Sequence, residues 1–350
     1  MEHKRKAEEK MGKVITFGEI MLRLAPDGYY RFVQATSFGA TYGGGEANVA
    51  IALANFGVET TFVTKLPKHE IGQAAVNTLR QFGVDTSMIC RGGDRVGIYF
   101  LEKGASQRAS KVIYDRAGSS IAKASPADFD WNAIFEKAFW FHFTGITPAL
   151  GYNVAEITAD AVRTARAKGL TVSCDLNYRK NLWSREKAGQ VMCKLLPMVD
   201  ICVANEEDAY DIFGIKAKNT NVSSGELNRE GYMEVAKILF DRFEFKKVAI
   251  TLRESLSAND NNWEGMLYDG KDYYFSRKYP IHIVDRVGGG DSFGAGLIYG
   301  NLQGWDEQES LDFAVAASCL KHSIEGDYNL VPVDEVKKLA AGDTSGRVLR

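Results

Sequence analysis

Asp285-Arg286-Val287-Gly288-Gly289-Gly290-Asp291-Ser292-Phe293-Gly294-Ala295-Gly296 sets three consecutive glycines before a carboxylate and a run of helical character. Glycine has no Cβ, so the backbone can turn successive N–H groups toward one point. Together with the positive end of the following helix, those groups form a seat for a phosphate. Asp291 stands at the mouth of that seat. A carboxylate beside an anion hole repels a resting phosphate. It becomes useful when it accepts a proton from an attacking hydroxyl while the backbone holds a phosphoryl group in transit. Taken alone, the segment reads equally well as a glycine turn with an Asp helix cap.

A second glycine cluster lies far upstream, in Tyr42-Gly43-Gly44-Gly45-Glu46-Ala47-Asn48. Bare glycines at a helix start let a polyhydroxylated ligand approach the backbone, and Asn48, one turn in, offers a donor and an acceptor to a hydroxyl. Taken singly, this cluster reads more readily as a tight turn whose Asn bonds its own backbone.

Around these clusters the chain alternates. Residues 13–21 read as a buried strand, 46–56 as a helix stopped by Gly57, 60–64 as a strand and 71–82 as a helix stopped by Gly83. After residue 140, strands at 139–143, 171–175, 201–204 and 247–252 alternate with helices at about 152–168, 184–196, 205–213 and 231–242. Helices at about 291–302 and 307–322 follow a hairpin over 263–276. This order predicts an α/β fold with a mainly parallel central sheet in three α/β/α layers. Two segments break the rhythm, about 24–42 and about 95–118. They carry extended aromatic runs, Tyr29-Tyr30-Arg31-Phe32-Val33, Gly97-Ile98-Tyr99-Phe100-Leu101 and Lys111-Val112-Ile113-Tyr114. Exposed aromatic strands need a cover, so these segments read as a small β lid and a surface for homo-oligomer formation. Residues 215–229 are the longest expected loop.

Composition narrows the function. At 350 residues with 45% apolar and 25% charged content, the chain is of ordinary globular make-up. A net charge of -2 gives no support to nucleic-acid binding or to an anionic membrane surface, and no apolar run is long enough to span a bilayer. Residues 1–12 are mostly charged and read as a flexible N-terminal extension ahead of a single domain over 13–345. Cys90, Cys174, Cys193, Cys202 and Cys319 form no C-x-x-C pair and are odd in number, the pattern of buried thiols in a reducing, cytoplasmic setting. The five histidines show no zinc spacing. Gly265 to Asp272 nearly fits a Walker A loop, but it lacks the Ser or Thr for Mg²⁺ and sits on the expected hairpin.

Taken together, the early Gly-Gly-x-x-x-Asn and the late Gly-x-Gly-Asp resemble the two signatures of the ribokinase-like (PfkB) carbohydrate kinases, in order and in spacing, over about residues 13–340. The lid segments fall where that family inserts its lid. The resemblance implies a ribokinase-like fold, ATP and Mg²⁺ as cofactors, Asp291 as catalytic base, and an anion hole from the amides of Gly288, Gly289 and Gly290. It also implies nucleotide contacts from Asn205, Arg253, His282, Gly288, Gly290 and Lys321, with Ala317 and His322 in segments that line the adenine in relatives. The commonest form of the second signature has Thr and Ala where this chain has Arg286 and Gly289. Arg286 then faces either a nucleotide phosphate or solvent. Asn205-Glu206-Glu207-Asp208 resembles the family's Asn-x-x-acid motif, which orders water around Mg²⁺, with Asn205 and Asp208 as its main members. Simple capping of an acidic helix start accounts for the same residues.

For the acceptor, a sugar acid calls for cations. Arg116 lies at the root of the second lid segment and Arg179 just beyond a strand end, where ligands of open α/β sheets bind. Tyr99 and Tyr114 can add hydroxyls and aromatic cover. The stretches 23–29, 43–48, 102–108 and 326–329 are similar to those of the family's subgroup acting on 2-keto-3-deoxygluconate. That resemblance implies phosphorylation of 2-keto-3-deoxygluconate at its primary hydroxyl. Its acid end would be held by Arg116 and Arg179, Asp327 would lie near the reacting end, and Gly43, Gly44 and Asn48 would touch the sugar. A fructokinase or ribokinase relative acting on a neutral sugar is the second reading, and a sugar-binding regulator without catalysis is the third.

Overall fold

A computed structural model describes residues 12–205, 207–216 and 229–346. The expected extension at 1–12, Glu206 and most of the expected loop at 215–229 fall outside the described residues. The chain opens with β1 (Lys13–Phe17), β2 (Met21–Ala25) and β3 (Gly39–Gly43), followed by α1 (Gly45–Asn55), β4 (Thr60–Val63), β5 (Lys65–Leu66) and α2 (Glu70–Gln81). Next come β6 (Cys90–Arg91), β7 (Ile98–Glu102), β8 (Lys111–Asp115), α3 (Trp131–Ile134), β9 (Ala138–Thr144), α4 (Ile146–Ala149), α5 (Tyr152–Ala167), β10 (Thr171–Asp175), α6 (Arg185–Leu195), β11 (Ile201–Ala204), α7 (Asp208–Phe213) and α8 (Arg229–Phe243). The last third holds β12 (Lys247–Ser255), β13 (Asp260–Tyr268), β14 (Tyr273–Phe275), β15 (Tyr279–His282), α9 (Gly289–Gln303), α10 (Glu307–Lys321) and α11 (Val333–Ala340).

The large sheet runs β14-β13-β12-β11-β10-β9-β1-β4, with β15 paired to β13. From β12 to β4 every pairing is parallel, and the β13 hairpin adds antiparallel strands at one edge. Parallel strands covered on both faces need apolar side chains on both. In β1, Ile15 and Phe17 join a core with Phe141, Phe143, Ile157 and Leu239, while Val14 joins a core on the other face with Val49, Leu53, Phe293 and Phe313. Helices therefore lie on both faces, as the alternation predicts. A separate sheet, β3-β2-β7-β8, is the lid.

The structure differs from the sequence expectation in two places. Residues 13–21 do not form one strand. A Cβ on Gly18 would lie 2.1 Å from Glu46 Oε2, so the chain passes tightly against α1 there and leaves the large sheet to start β2. The aromatic run Tyr29–Val33 is not a strand either. It forms turns, with Tyr30 N–H donating to Asp27 O and Gln34 N–H to Arg31 O, while Phe32 and Phe38 pack edge-on against Phe100. Local turn bonds satisfied the backbone without a ladder.

The packing of α9 sets the direction of the glycine loop at its start. Gly296 and Gly300 let α10 approach so closely that added Cβ atoms would come within 2.6 Å of Ala314 Cα and of Ser310 Oγ. Overpacking of this kind costs about 1–3 kcal/mol. Gly296→Val is therefore expected to lower the thermal unfolding midpoint by several degrees, whereas Gly294→Ala, where added bulk meets nothing within 4 Å, is expected to leave it near the wild-type value.

Candidate active site

The carboxyl ends of the parallel strands face the lid across a cleft of about 460 Å³. Gly44, Asn48, Tyr99, Tyr114, Arg116, Arg179, Asn205, Arg253, Gly288, Gly290, Asp291 and Asp327 all line it. These residues are scattered over more than 280 positions of sequence and meet because open parallel sheets present ligands at that edge.

Gly288 caps α9 with φ 82, and a Cβ there would sit 1.9 Å from Asp327 O. Only glycine fits such a position. Gly289 lies against the His322 ring, and its N–H donates at 3.3 Å to Arg286 O. The N–H groups of Gly290 and Asp291 have no protein acceptor among the described residues, and a Cβ on Gly290 would meet open space. The open N–H groups of this helix start thus include those of Gly290 and Asp291, whereas that of Gly289 is engaged.

Asp291 is half-buried in the first turn of α9. Asn48 Nδ2 donates to its Oδ2 at 2.7 Å, and Asn48 Oδ1 accepts from Gly44 N–H at 3.2 Å. The amide expected to face a sugar hydroxyl instead ties the first glycine cluster to the carboxylate of the second. Burial pushes the Asp291 carboxyl up to about 6, and the Asp327 charge adds to that rise. The Asn48 bond, Arg179 and Lys321 oppose it.

Asp327 and Tyr99 are engaged with each other and with a residue outside the expected set. Arg23, on β2, donates to Asp327 through Nη1 and to Asp285 through Nη2, and Tyr99 OH donates to Asp327 Oδ2. All four groups are nearly inaccessible. Removing one member of a buried ion pair costs about 3–5 kcal/mol. A Cβ on Gly43 would lie 1.9 Å from Asp327 Oδ2, so Gly43 backs this cluster rather than lining the cleft.

Arg116 reaches the cleft while held from behind. Its Nε and Nη2 donate to Glu19 Oε2 at 2.8 and 2.5 Å, Ser119 Oγ donates to Glu19 Oε1, and the guanidinium stacks 5.4 Å over the Tyr114 ring. Nη1 has no protein partner among the described residues. Arg179 donates to Tyr178 O at 3.0 Å and sits among the carboxylates of Asp175, Asp208 and Asp291. Asp208 is buried, accepting from the N–H groups of Tyr178 and Asn205 at 2.9 and 3.0 Å. It staples two loops and does not face the cleft, whereas Asn205 and Glu207 do.

Arg253, Arg286, Trp263 and His322 share another wall of the cleft. Arg286 donates through Nη2 to Ala258 O, and its buried Nε has no partner. His322 packs tilted against Trp263, ring centroids 5.0 Å apart, and donates through Nδ1 to Ser318 O at 2.7 Å; burial pulls it down to about 4, so it is neutral. His282 lies elsewhere, exposed at the sheet edge and bonded to Asp260 at 2.7 Å. Lys321 is fully buried beneath the loop, its ammonium donating to Asp285 O at 3.1 Å and Ile324 O at 3.3 Å. Burial keeps it out of reach of a nucleotide.

Sequence reasoning missed Glu19, Asp175, Glu207, Arg23 and Asp285. For the first three the signal was present, because Asp175 ends a parallel strand and Glu19 and Glu207 lie within three residues of the end of one. Arg23 and Asp285 carry no local mark, since each is defined by a partner more than 260 residues away.

The sequence profile of the pfkB family of carbohydrate kinases matches residues 11–334, and the chain belongs to that family. Among its solved relatives is the 2-dehydro-3-deoxygluconokinase of Thermotoga maritima, 53% identical, with a TM-score of 0.91 over 95% of this chain and 98% of that one. The 2-dehydro-3-deoxygalactonokinase of Haloferax volcanii is 30% identical over 95% of this chain and 98% of its own length. The 5-dehydro-2-deoxygluconokinase of Shouchella clausii is 26% identical over 95% and 96%.

For a base that must be ionised, kcat/KM is expected to be flat above about pH 7 and to fall about tenfold per pH unit below about 6. Asn48→Ala removes a bond that favours the carboxylate, so its acid limb is expected to lie at higher pH. A profile measured at saturating nucleotide in wild type and variant checks both.

Proposed function

We propose that the chain transfers the γ-phosphoryl group of ATP to the primary hydroxyl of 2-keto-3-deoxygluconate. The observation that carries this reading is the Asn48-held carboxylate of Asp291 beside the open N–H groups of Gly290 and Asp291, in a cleft that also presents Arg116 and Arg179. The names of the relatives, all kinases of dehydrodeoxy sugar acids, support it.

Arg179 and the Nη1 side of Arg116 offer the sugar carboxylate a cationic end, with Tyr114 over the ligand's carbon chain. This orients the far hydroxyl toward Asp291 Oδ1, the carboxylate oxygen not held by Asn48. A sugar hydroxyl is a weak acid, and in a loose phosphoryl transfer its proton leaves late, so an ionised Asp291 suffices as acceptor. The amides of Gly290 and Asp291, at the positive end of α9, stabilise the charge on the moving group. Arg286 Nε, buried without a partner, and Arg253 face the donor phosphates. The lid excludes water and suppresses hydrolysis of ATP.

The residues present fit Mg²⁺ held mainly by phosphates and water. Among the described residues no three His, Cys, Asp or Glu side chains gather into a cage, yet Asp175 is raised well above the usual carboxylate range by burial and by Asp208 and Asp291, a field that a cation relieves. Asn205 and Glu207 would hold its waters, and bound there it would neutralise the nucleotide's phosphate charge.

The outer lid strand β8 has an open edge and exposes Val112, Ile113 and Tyr114, which supports self-association through the lid. Five free cysteines and the absence, among the described residues, of any helix long and apolar enough to cross a membrane accord with a cytoplasmic enzyme.

Asp291→Asn is expected to lower kcat by at least about a thousandfold with little change in nucleotide affinity. It is also expected to raise the unfolding temperature at pH 8. A carboxyl raised to about 6 contributes stability below its unfolded value that is lost as pH rises through 6, and the neutral amide escapes that loss. Near-wild-type kcat in this variant would refute the base assignment. In a panel of keto-deoxy acids, fructose and ribose, Arg179→Gln is expected to raise KM for the keto acid about tenfold or more and to leave any neutral-sugar turnover unchanged.

A further inference from the structure

One buried cluster ties the lid to the catalytic loop and is not used by the phosphoryl-transfer chemistry. Arg23 and Tyr99 come from lid strands β2 and β7, and Asp285 and Asp327 come from the body. Arg23 and both carboxylates are at most 4% exposed. Asp285 also accepts from Val287 N–H through Oδ1 at 3.1 Å and from Gly326 N–H through Oδ2 at 3.2 Å, so it shapes the entry to the glycine loop and the segment that carries Asp327. Gly288 packs backbone against backbone on Asp327, as the 1.9 Å approach of an added Cβ to Asp327 O shows.

We propose that Arg23 is a positioning residue of this kinase: by pairing with Asp285 and Asp327 at once, it fastens the phosphate loop and the base to the lid sheet, so that the site is assembled only with the lid docked. The inference rests on Asp291 as the base. One guanidinium serves two buried carboxylates, and a planar fork with donors on both arms suits that task better than an ammonium. Lys321 lies close by but donates to backbone carbonyls, and so does not replace Arg23. Without Arg23, Asp327 and Asp285 face each other as buried like charges, and Asp327 acts directly on Asp291. The other groups acting on Asp291 are Asn48 from α1, Asp175 at the end of β10, Arg179 beyond it, and Lys321 from the end of α10, with Glu46 and His322 in the same cleft wall. Of these, Lys321 also feels the Arg23 charge, so Arg23→Gln favours its charged form, and the Asp327→Asn and double variants isolate the Asp327 contribution.

The test is the pH profile of kcat/KM at saturating ATP for Arg23→Gln, Arg23→Lys, Asp327→Asn and the Arg23→Gln/Asp327→Asn double variant, with circular dichroism confirming the fold. Arg23→Gln is expected to move the acid limb up by at least about half a pH unit, an extra loss beyond the wild-type fall of about twofold at pH 6 and about threefold at pH 5. Asp327→Asn is expected to move it down, the double variant to return it toward wild type, and Arg23→Lys to fall between wild type and Arg23→Gln. A purely structural role lowers stability and leaves the limb in place. Folded Arg23→Gln and Asp327→Asn with wild-type limbs would overturn the inference. If Arg23→Gln does not fold, the direction of the limb in Arg23→Lys and Asp327→Asn decides. An Asp291→Asn enzyme with wild-type kcat overturns the base assignment and this inference together, whereas an inactive Asp291→Asn with unmoved limbs elsewhere overturns this inference alone.

Discussion

The hydrogen bond from Asn48 Nδ2 to Asp291 Oδ2 spans 243 residues of chain and joins the starts of two buried helices. Each helix begins at a glycine cluster whose backbone must come close to something else: Gly44 to Glu19 O, Gly288 to Asp327 O. Add a side chain at either and the helix start shifts. The bond then fails, because hydrogen-bond strength falls steeply with distance and angle. The cleft, the anion seat and the orientation of the carboxylate all depend on that alignment.

Charge is arranged around the bond at some expense in stability. Asp291, Asp175, Asp208 and Asp327 are all held above the usual carboxylate range by burial, and Arg23, Arg179 and Lys321 are the cations that keep them together. A buried ion pair contributes little net stability when intact and costs several kcal/mol when broken. Such a cluster therefore acts chiefly as a constraint on geometry. The same reasoning separates the two arginines proposed for the acceptor end, Arg116 and Arg179. Arg116 is fixed by Glu19, while Arg179 sits among carboxylates of the sheet edge. Rigidity of this sort is what a site needs if it is to hold a carboxylate at one end and a hydroxyl at the other.

Much of the fold was legible in the chain because it is written in local period. The strands at 171–175 and 201–204 coincide with the observed ones, and the helix expected over 152–168 ends one residue earlier. Where turn bonds competed with extended backbone, as at Tyr29–Val33, local aromatic content misled. The place of Asp291 was legible too, since three glycines before an Asp put it in the first turn of a helix. Asp208 and Lys321 show the limit. Each has the residue type expected of a ligand contact, and each is turned inward to satisfy one backbone group nearby and one on a distant segment.

Residue type and spacing were enough for the layered α/β class, the two glycine loops at helix starts and the segments that leave the large sheet, because these depend on backbone conformation and on neighbours within a few positions. The chain could not disclose that Asn48 would be spent on Asp291, that Glu19 would hold Arg116, or that a lid arginine would bridge Asp285 and Asp327. Those pairings exist only after distant segments are packed together, when burial strips water from charged groups and leaves each to find its partner across the fold.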